Sequence, residues 1–158
     1  MQGSEARILF VDDDEDTCQM MEVLLGHSGQ KVTTAATVAE ALTFIAKESF
    51  DLYILDNRLP DGSGVELCRH LRESNPRVPV LFFSGAAYDS DIAEAMEAGA
   101  AGYIVKPAGM AQLETSVEQL LENKAEVSKV QSTTVARVRH HIAEKSKYRE
   151  GDTARRNS

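Results

Sequence analysis

Short apolar runs alternate along the chain with longer stretches in which apolar residues recur at helical spacing. Five runs of strand length are rich in aliphatic and β-branched residues and cover positions 7–11, 31–36, 52–55, 78–83 and 103–105. After each run, apolar residues lie three or four positions apart, which is typical of the buried face of a helix. The pattern therefore predicts five strand–helix units in succession, joined by loops of a few residues.

Strict alternation of strands and helices predicts an α/β protein with one parallel sheet, a (βα)5 core and helices on both faces. Right-handed crossovers limit such a sheet to a few doubly wound strand orders. We expect the order 2-1-3-4-5, because two helices then cover one face of the sheet and three cover the other. Thr37, followed three positions later by Glu40, predicts a capping box at the start of the second helix.

The net charge of −8 is divided unevenly along the chain. Residues 1–123 contain 8 Lys and Arg against 21 Asp and Glu, a balance of −13. Residues 124–158 contain 9 Lys and Arg against 4 Asp and Glu, a balance of +5. We expect one acidic folded domain over 1–123 and a basic C-terminal tail over 124–158, partly helical or flexible, with no second domain. Basic residues without a groove-entering motif give little support for a nucleic-acid partner.

The cysteines and the lengths of the apolar runs bear on the compartment in which the chain works. Cys18 and Cys68 each lie in a predicted helix and form neither a disulfide framework nor a metal-ligand pair. No apolar stretch approaches the ~20 residues that cross a bilayer, and positions 1–7 lack the apolar segment of a secretory signal. We therefore expect a cytoplasmic protein with reduced thiols and no membrane segment.

Polar residues follow the predicted strands at the edge of the sheet where ligands bind. Asp12 and Asp13 come directly after the first strand, and Asp56 comes directly after the third. In an open parallel sheet, ligands bind beyond the carboxyl ends of the strands where the strand order reverses, here between strands one and three. Ser84 and Lys106 follow strands four and five, so the topology gathers all five side chains in one crevice.

Three carboxylates in one crevice favour a hard divalent cation. Their mutual repulsion is costly in the empty fold, and an oxygen-only site suits Mg²⁺ or Mn²⁺. A carboxylate is also a possible nucleophile at phosphorus, with Lys106 pairing with one phosphoryl oxygen and Ser84 donating to another. Each residue alone also has an ordinary explanation, as a helix-starting acid, a turn hydroxyl or a surface lysine. Lys106 precedes Pro107, and bonds of this kind are where cis peptides occur.

Taken together, these residues resemble the receiver domain of two-component response regulators. The matching segments appear in the family's order and cover positions 8–14, 51–60 with Gly64, 84–85 and 98–107. The resemblance implies a flavodoxin-like fold and acceptance of a phosphoryl group from a histidine kinase or a histidine phosphotransfer protein. It implies a signalling switch rather than an enzyme, because the module's only chemistry is its own phosphorylation and dephosphorylation.

The resemblance assigns roles around the acceptor. Asp56 matches the phosphoacceptor, and Asp12 and Asp13 match the acidic pair that holds Mg²⁺ together with it. Asp13 is the better candidate for a direct metal ligand. The backbone carbonyl of Arg58, two residues beyond Asp56, matches a further metal contact.

The resemblance also implies a conformational switch. Ser84 matches the switch hydroxyl, Lys106 the phosphate-pairing lysine and Tyr103 the aromatic switch residue. Phosphorylation would draw Ser84 toward the phosphoryl group, and Tyr103 would rotate into the vacated space. The surface made by the fourth helix, fifth strand and fifth helix would change as a result. The residue after Lys-Pro is often aromatic in the family but is Ala108 here, which bears on how the fifth strand packs against the fifth helix.

Other functions remain open at this point. The chain could be a receiver fragment of a larger hybrid kinase or relay protein. It could also form a homodimer, either through the surface made by the fourth helix, fifth strand and fifth helix or through the tail. Some phosphatases of related build also use an aspartate nucleophile in an Asp-x-Asp-x-Thr/Val pattern. The segments at 12–15 and 56–58 each lack part of that pattern, which argues against a phosphatase.

Overall fold

A computed structural model describes residues 5–107 and 109–127 of the chain. The five strands of the main sheet are β1 Arg7–Val11, β2 Lys31–Ala35, β3 Leu52–Leu55, β4 Val80–Ser84 and β5 Gly102–Val105. The five helices are α1 Glu15–His27, α2 Val38–Lys47, α3 Gly64–Ser74, α4 Asp89–Glu97 and α5 Met110–Val127. The predicted tail begins within α5, and its positions from 128 onward lie outside the described residues, as does Ala108.

The strands form one parallel sheet in the order β2-β1-β3-β4-β5. The predicted flavodoxin-like, doubly wound α/β fold is therefore confirmed. The strand order reverses between β1 and β3, so the residues that follow these two strands lie at the switch point of the sheet.

Alternate residues of each strand enter two separate cores, one on each face of the sheet. Leu9, Tyr53 and Phe82 pack on the face covered by α2, α3 and α4. Ile8 and Ile54 belong to the opposite face, which α1 and α5 cover. β1 and β3 are covered on both sides and, apart from Arg7 at the start of β1, all their residues are buried and hydrophobic, which explains the uninterrupted runs in the sequence.

The fourth strand differs most from its prediction, because it covers Val80–Ser84 rather than positions 78–83. Val78 lies in a turn, where its amide donates to the Asn75 carbonyl. The carbonyl of Val78 accepts from the Arg72 guanidinium. Those bonds take Val78 out of the sheet before the strand begins. Elsewhere the predicted strand ends differ by one residue, since β2 ends at residue 35 and β5 begins at 102.

The capping box predicted for α2 is present in a shifted form. The Thr37 hydroxyl accepts from the Glu40 amide at 3.0 Å, as expected of an N-cap. The Glu40 carboxylate accepts from the amide of Ala36, at 2.7 Å, rather than from the N-cap residue itself. The helix therefore begins where the sequence indicates.

Both cysteines are buried free thiols, as predicted. Burial raises the pKa of Cys18 and of Cys68 to about 11. We expect neither thiol to react at an appreciable rate with a disulfide reagent near neutral pH, because the thiolate is the reactive species. Titration with the reagent should give no rapid reaction in the native protein and two reactive thiols after denaturation. Rapid reaction of either cysteine in the native state would contradict this arrangement.

In the part of the chain that the structure covers, no helix combines the length and the apolar character needed to cross a membrane.

Candidate functional site

Three carboxylates converge at the switch point of the sheet. One oxygen from each of Asp12, Asp13 and Asp56 lies within 4.8 Å of the other two. Strand pairing fixes two of them, because the Asp12 amide donates to Ala35 and the Asp56 amide donates to Val11, each bond continuing a ladder. Asp12 is buried, Asp56 is partly buried and Asp13 is exposed, so the cluster opens to solvent on one side. An oxygen-only donor set of this size fits a hard cation such as Mg²⁺.

Lys106 brings a positive charge into this cluster. Its Nζ lies 2.6 Å from the Asp12 carboxylate and 3.4 Å from that of Asp56, above the ring of Phe83. The Lys106 amide donates to the Ser84 carbonyl, which continues the β4–β5 pairing past the end of the strand. The peptide bond between Lys106 and Pro107 is cis. The structure thus places this lysine against two of the carboxylates that are predicted to bind the metal.

The pKa shifts indicate that one ammonium does not fully offset the buried carboxylate. Burial raises the pKa of Asp12, although its hydrogen bonds from Lys106 and from the Asp14 amide act in the opposite direction. Burial alone would lower the pKa of Lys106, but the hydrogen bond and charge of Asp12 raise it overall. The neighbouring carboxylate therefore favours the charged form of Lys106, and further positive charge near Asp12 would favour its carboxylate form.

A chain of hydrogen bonds leads from Asp56 to Tyr103. The Ser84 hydroxyl donates to the Asp56 carboxylate at 2.7 Å and accepts from the Ala86 amide at 3.2 Å. The Ala86 carbonyl accepts from the Tyr103 hydroxyl at 2.6 Å. The Tyr103 ring stacks on Phe82, with the centroids 5.5 Å apart and the planes 2° from parallel. The sequence does not indicate this linking role of Ala86, because only its backbone amide and carbonyl take part.

The structure brings together five of the predicted site residues, namely Asp12, Asp13, Asp56, Ser84 and Lys106. It links the sixth, Tyr103, to Asp56 through a backbone group. Arg58 is an exposed residue of a small antiparallel hairpin, formed by Arg58–Leu59 and Gly62–Ser63, which directly follows the Asp56 loop. The proposed role of its carbonyl in metal binding stays a prediction.

The family model of the response regulator receiver domain matches residues 8–118 of this chain. The chain is 33% identical over 118 residues to the response regulator protein PilR of Pseudomonas aeruginosa, covering 75% of this chain and 26% of that protein. It is 36% identical over 133 residues to the transcriptional regulatory protein PrrA of Mycobacterium leprae, covering 84% of this chain and 57% of that protein. The chain thus spans only part of the length of these relatives.

A solved structure of a receiver domain is also similar to this chain. The crystal structure of a CheY-like response regulator receiver domain protein from Methanospirillum hungatei is 32% identical to this chain with a TM-score of 0.75. The match covers 78% of this chain and 98% of that structure. Fold, site and comparisons define a phosphoacceptor signalling module. The chain belongs to the response regulator receiver domain family of two-component systems.

Proposed function

We propose that Asp56 accepts a phosphoryl group from a histidine kinase or a histidine phosphotransfer protein, in a reaction that requires Mg²⁺ or Mn²⁺. The observation that carries the proposal is the convergence on Asp56 of two further carboxylates, one ammonium and one hydroxyl. The metal ligands would be the carboxylates of Asp12, Asp13 and Asp56 and the backbone carbonyl of Arg58. A bound divalent ion would supply the positive charge that offsets the carboxylates and the incoming phosphoryl oxygens.

The chemistry is a displacement at phosphorus. A carboxylate oxygen of Asp56 forms a bond to phosphorus as the bond to the donor's imidazole nitrogen breaks, and the donor histidine, protonated on its other ring nitrogen, leaves as neutral imidazole. Lys106 already lies near Asp56, so its ammonium can pair with one phosphoryl oxygen once the group is transferred. Ser84 already donates to the other side of the same carboxylate and can redirect its hydroxyl to a second oxygen.

Phosphorylation would reach the protein surface through the Ser84–Ala86–Tyr103 chain. The phosphoryl group adds negative charge and strong acceptor oxygens, which favour a shift of the Ser84 hydroxyl toward them. That shift alters the bond from Ala86 to Ser84 and, through the same residue, the bond from Tyr103. We define the switch surface as α4, β5 and α5. Val105 of β5 and Tyr88, which directly precedes α4, are exposed. A partner protein that binds this surface would therefore contact the residues that change.

Incubation with a small-molecule phosphodonor tests the proposal. With Mg²⁺ present, the intact protein should gain the mass of one phosphoryl group, and a chelator should prevent the gain because the charge compensation is lost. Asp56→Asn should gain nothing under the same conditions. Equal gain by wild type and Asp56→Asn would contradict the assignment. Rapid hydrolysis of aryl phosphates with Mg²⁺ would instead support the phosphatase alternative.

Replacement of Tyr103 with phenylalanine should separate phosphorylation from the surface change. The substitution keeps the ring that stacks on Phe82 and removes the hydrogen bond to the Ala86 carbonyl. The bond belongs to the unphosphorylated arrangement and contributes about 1 kcal/mol, so its loss should shift the switching equilibrium about fivefold toward the switched state, while Asp56 is still phosphorylated. The shift changes caused by phosphorylation should then be smaller than in the wild type. Amide chemical shifts of α4 and β5, measured before and after phosphorylation, provide the readout.

Tyr53→Phe is the matched control for that experiment. The Tyr53 hydroxyl accepts from Asn75 outside the Asp56–Tyr103 chain, so its loss should leave the phosphorylation-dependent shifts intact. Full-sized shifts in Tyr103→Phe, equal to those of wild type, would show that the hydroxyl does not carry the signal.

We also propose that the chain acts either by itself or as a module of a longer regulator or relay protein. The second arrangement is supported by the match to PilR, which covers only about a quarter of that protein. We propose a cytoplasmic location, where a kinase or phosphotransfer protein would reach Asp56. A homodimer through the switch surface or the 124–158 segment would be detected by sedimentation before and after phosphorylation.

A further inference from the structure

The loop that follows Asp56 is closed tightly at its base. The Gly64 amide donates to the Asn57 carbonyl at 2.8 Å. A Cβ atom on Gly64 would lie 2.3 Å from the Asp56 carbonyl oxygen, so only glycine permits this approach. Between these two points the chain forms the Arg58–Leu59 and Gly62–Ser63 hairpin. These contacts fix the base of the hairpin, so the position of its tip depends on other contacts.

Asp61 holds that tip against the start of α2. Its carboxylate accepts from the Val38 amide at 2.8 Å and from the Ala39 amide at 3.0 Å. These are the first two amides of the helix, which have no partner within it, and the helix dipole favours a negative charge there. The two bonds hold the pKa of Asp61 below its usual value. A Cβ on Gly62 would lie 3.3 Å from the Val38 side chain, so the tip also packs closely on α2.

We propose that Asp61 is a positioning residue for the metal site. By anchoring the hairpin tip on α2, it fixes the hairpin strand that carries Arg58, whose backbone carbonyl is the predicted metal contact. Asp61 lies outside the carboxylate cluster of the described residues and acts through the loop, without touching the ion. The inference rests on the proposed function, because it assumes that the Asp56 site binds Mg²⁺.

A purely structural role for Asp61 would be that of a helix cap, and the chain offers a matched comparison. Thr37, the N-cap residue directly before α2, caps the same helix by accepting from the Glu40 amide, and its side chain makes no hydrogen bond to the hairpin. Loss of either residue weakens the start of α2. Only loss of Asp61 frees the hairpin that carries Arg58. The two variants should therefore be alike in stability and different in metal affinity.

The test measures Mg²⁺ binding by titration calorimetry and thermal unfolding in the absence of metal, for wild type, Asp61→Ala and Thr37→Ala. We expect Asp61→Ala to weaken Mg²⁺ binding about tenfold, the lower end of the losses seen for groups that orient metal ligands. Thr37→Ala should lower the unfolding temperature by a similar amount and leave Mg²⁺ affinity unchanged. Asp61→Asn retains one acceptor oxygen and should fall between wild type and Asp61→Ala in Mg²⁺ affinity.

Equal Mg²⁺ affinity for Asp61→Ala and Thr37→Ala would overturn the proposal and leave Asp61 as a cap only. If Asp61→Ala does not fold, Asp61→Asn decides, and wild-type Mg²⁺ affinity in that variant overturns the proposal. Failure of the proposed function is distinguishable, because it appears in the wild type as absence of Mg²⁺ binding and of phosphorylation. In that case the proposed positioning role of Asp61 is contradicted as well.

Discussion

Replacement of Lys106 with methionine is expected to destabilise the metal-free protein and, at the same time, to strengthen its binding of Mg²⁺. The Lys106 ammonium lies 2.6 Å from the Asp12 carboxylate, which is only 1% exposed. Removing one partner of a buried pair leaves an uncompensated charge and costs about 3 kcal/mol. The same ammonium repels a divalent ion that binds in the cluster. Removal of the ammonium should therefore raise Mg²⁺ affinity about tenfold, or about 1.4 kcal/mol.

The opposite signs of these two effects make the experiment specific. Urea unfolding without metal gives the stability, and titration calorimetry gives the Mg²⁺ affinity of the same variant. Lys47→Met, at an exposed position in the last turn of α2, is the control and should change neither quantity. Phosphorylation by a small-molecule donor should fall in Lys106→Met although the metal binds more tightly, because the phosphoryl oxygens lose their pairing ammonium. Weaker Mg²⁺ binding in Lys106→Met would contradict the competition between lysine and metal.

Replacement of Asp13 with asparagine should show the reverse pattern. Asp13 is the exposed member of the cluster and is predicted to be a direct ligand, so Mg²⁺ affinity should fall about 100-fold or more, beyond the range for groups that merely orient ligands. Stability without metal should rise, by about 1 kcal/mol at most, since one of three mutually repelling charges is removed. Calorimetric titration and urea unfolding measure the two effects.

Asp16→Asn is the control for Asp13→Asn. Asp16 is an exposed acid in the first turn of α1 and lies outside the three-carboxylate cluster. It tests whether a general loss of negative charge near this edge of the sheet is enough to weaken Mg²⁺ binding. If the two variants lose affinity equally, the cluster acts through its overall field, and Asp13 is not a direct ligand.

The positions of the site residues could be predicted because parallel strands end at a common edge. Asp12 and Asp56 each follow a short apolar run, and the strand order places those runs side by side. This inference needs only the strand boundaries and the order of the strands, and both depend on hydrophobic patterning. A boundary error of one or two residues, as at the start of β4, does not move a residue to the opposite edge of the sheet.

The contacts that the sequence did not reveal depend on side-chain direction and on backbone groups. Lys106 pairs with Asp12, 94 positions away, and this contact depends on the direction of a long side chain that the sequence does not indicate. Ala86 connects Ser84 to Tyr103 through its amide and carbonyl, and neither group has a signature in the sequence. The Asp61 anchor was missed for a related reason, because an acid in a Pro-Asp-Gly turn also has a local explanation.

Location of the phosphoryl group tests the central claim most directly. The protein should be phosphorylated with a small-molecule donor and Mg²⁺, reduced with borohydride, digested and analysed by mass spectrometry. An acyl phosphate is reduced to an alcohol, so a phosphorylated aspartate becomes homoserine. The predicted result is homoserine at position 56 alone, dependent on Mg²⁺ and on the donor. Homoserine at another aspartate, or a phosphorylated protein with an unmodified Asp56, would contradict the assignment of Asp56 as the phosphoacceptor.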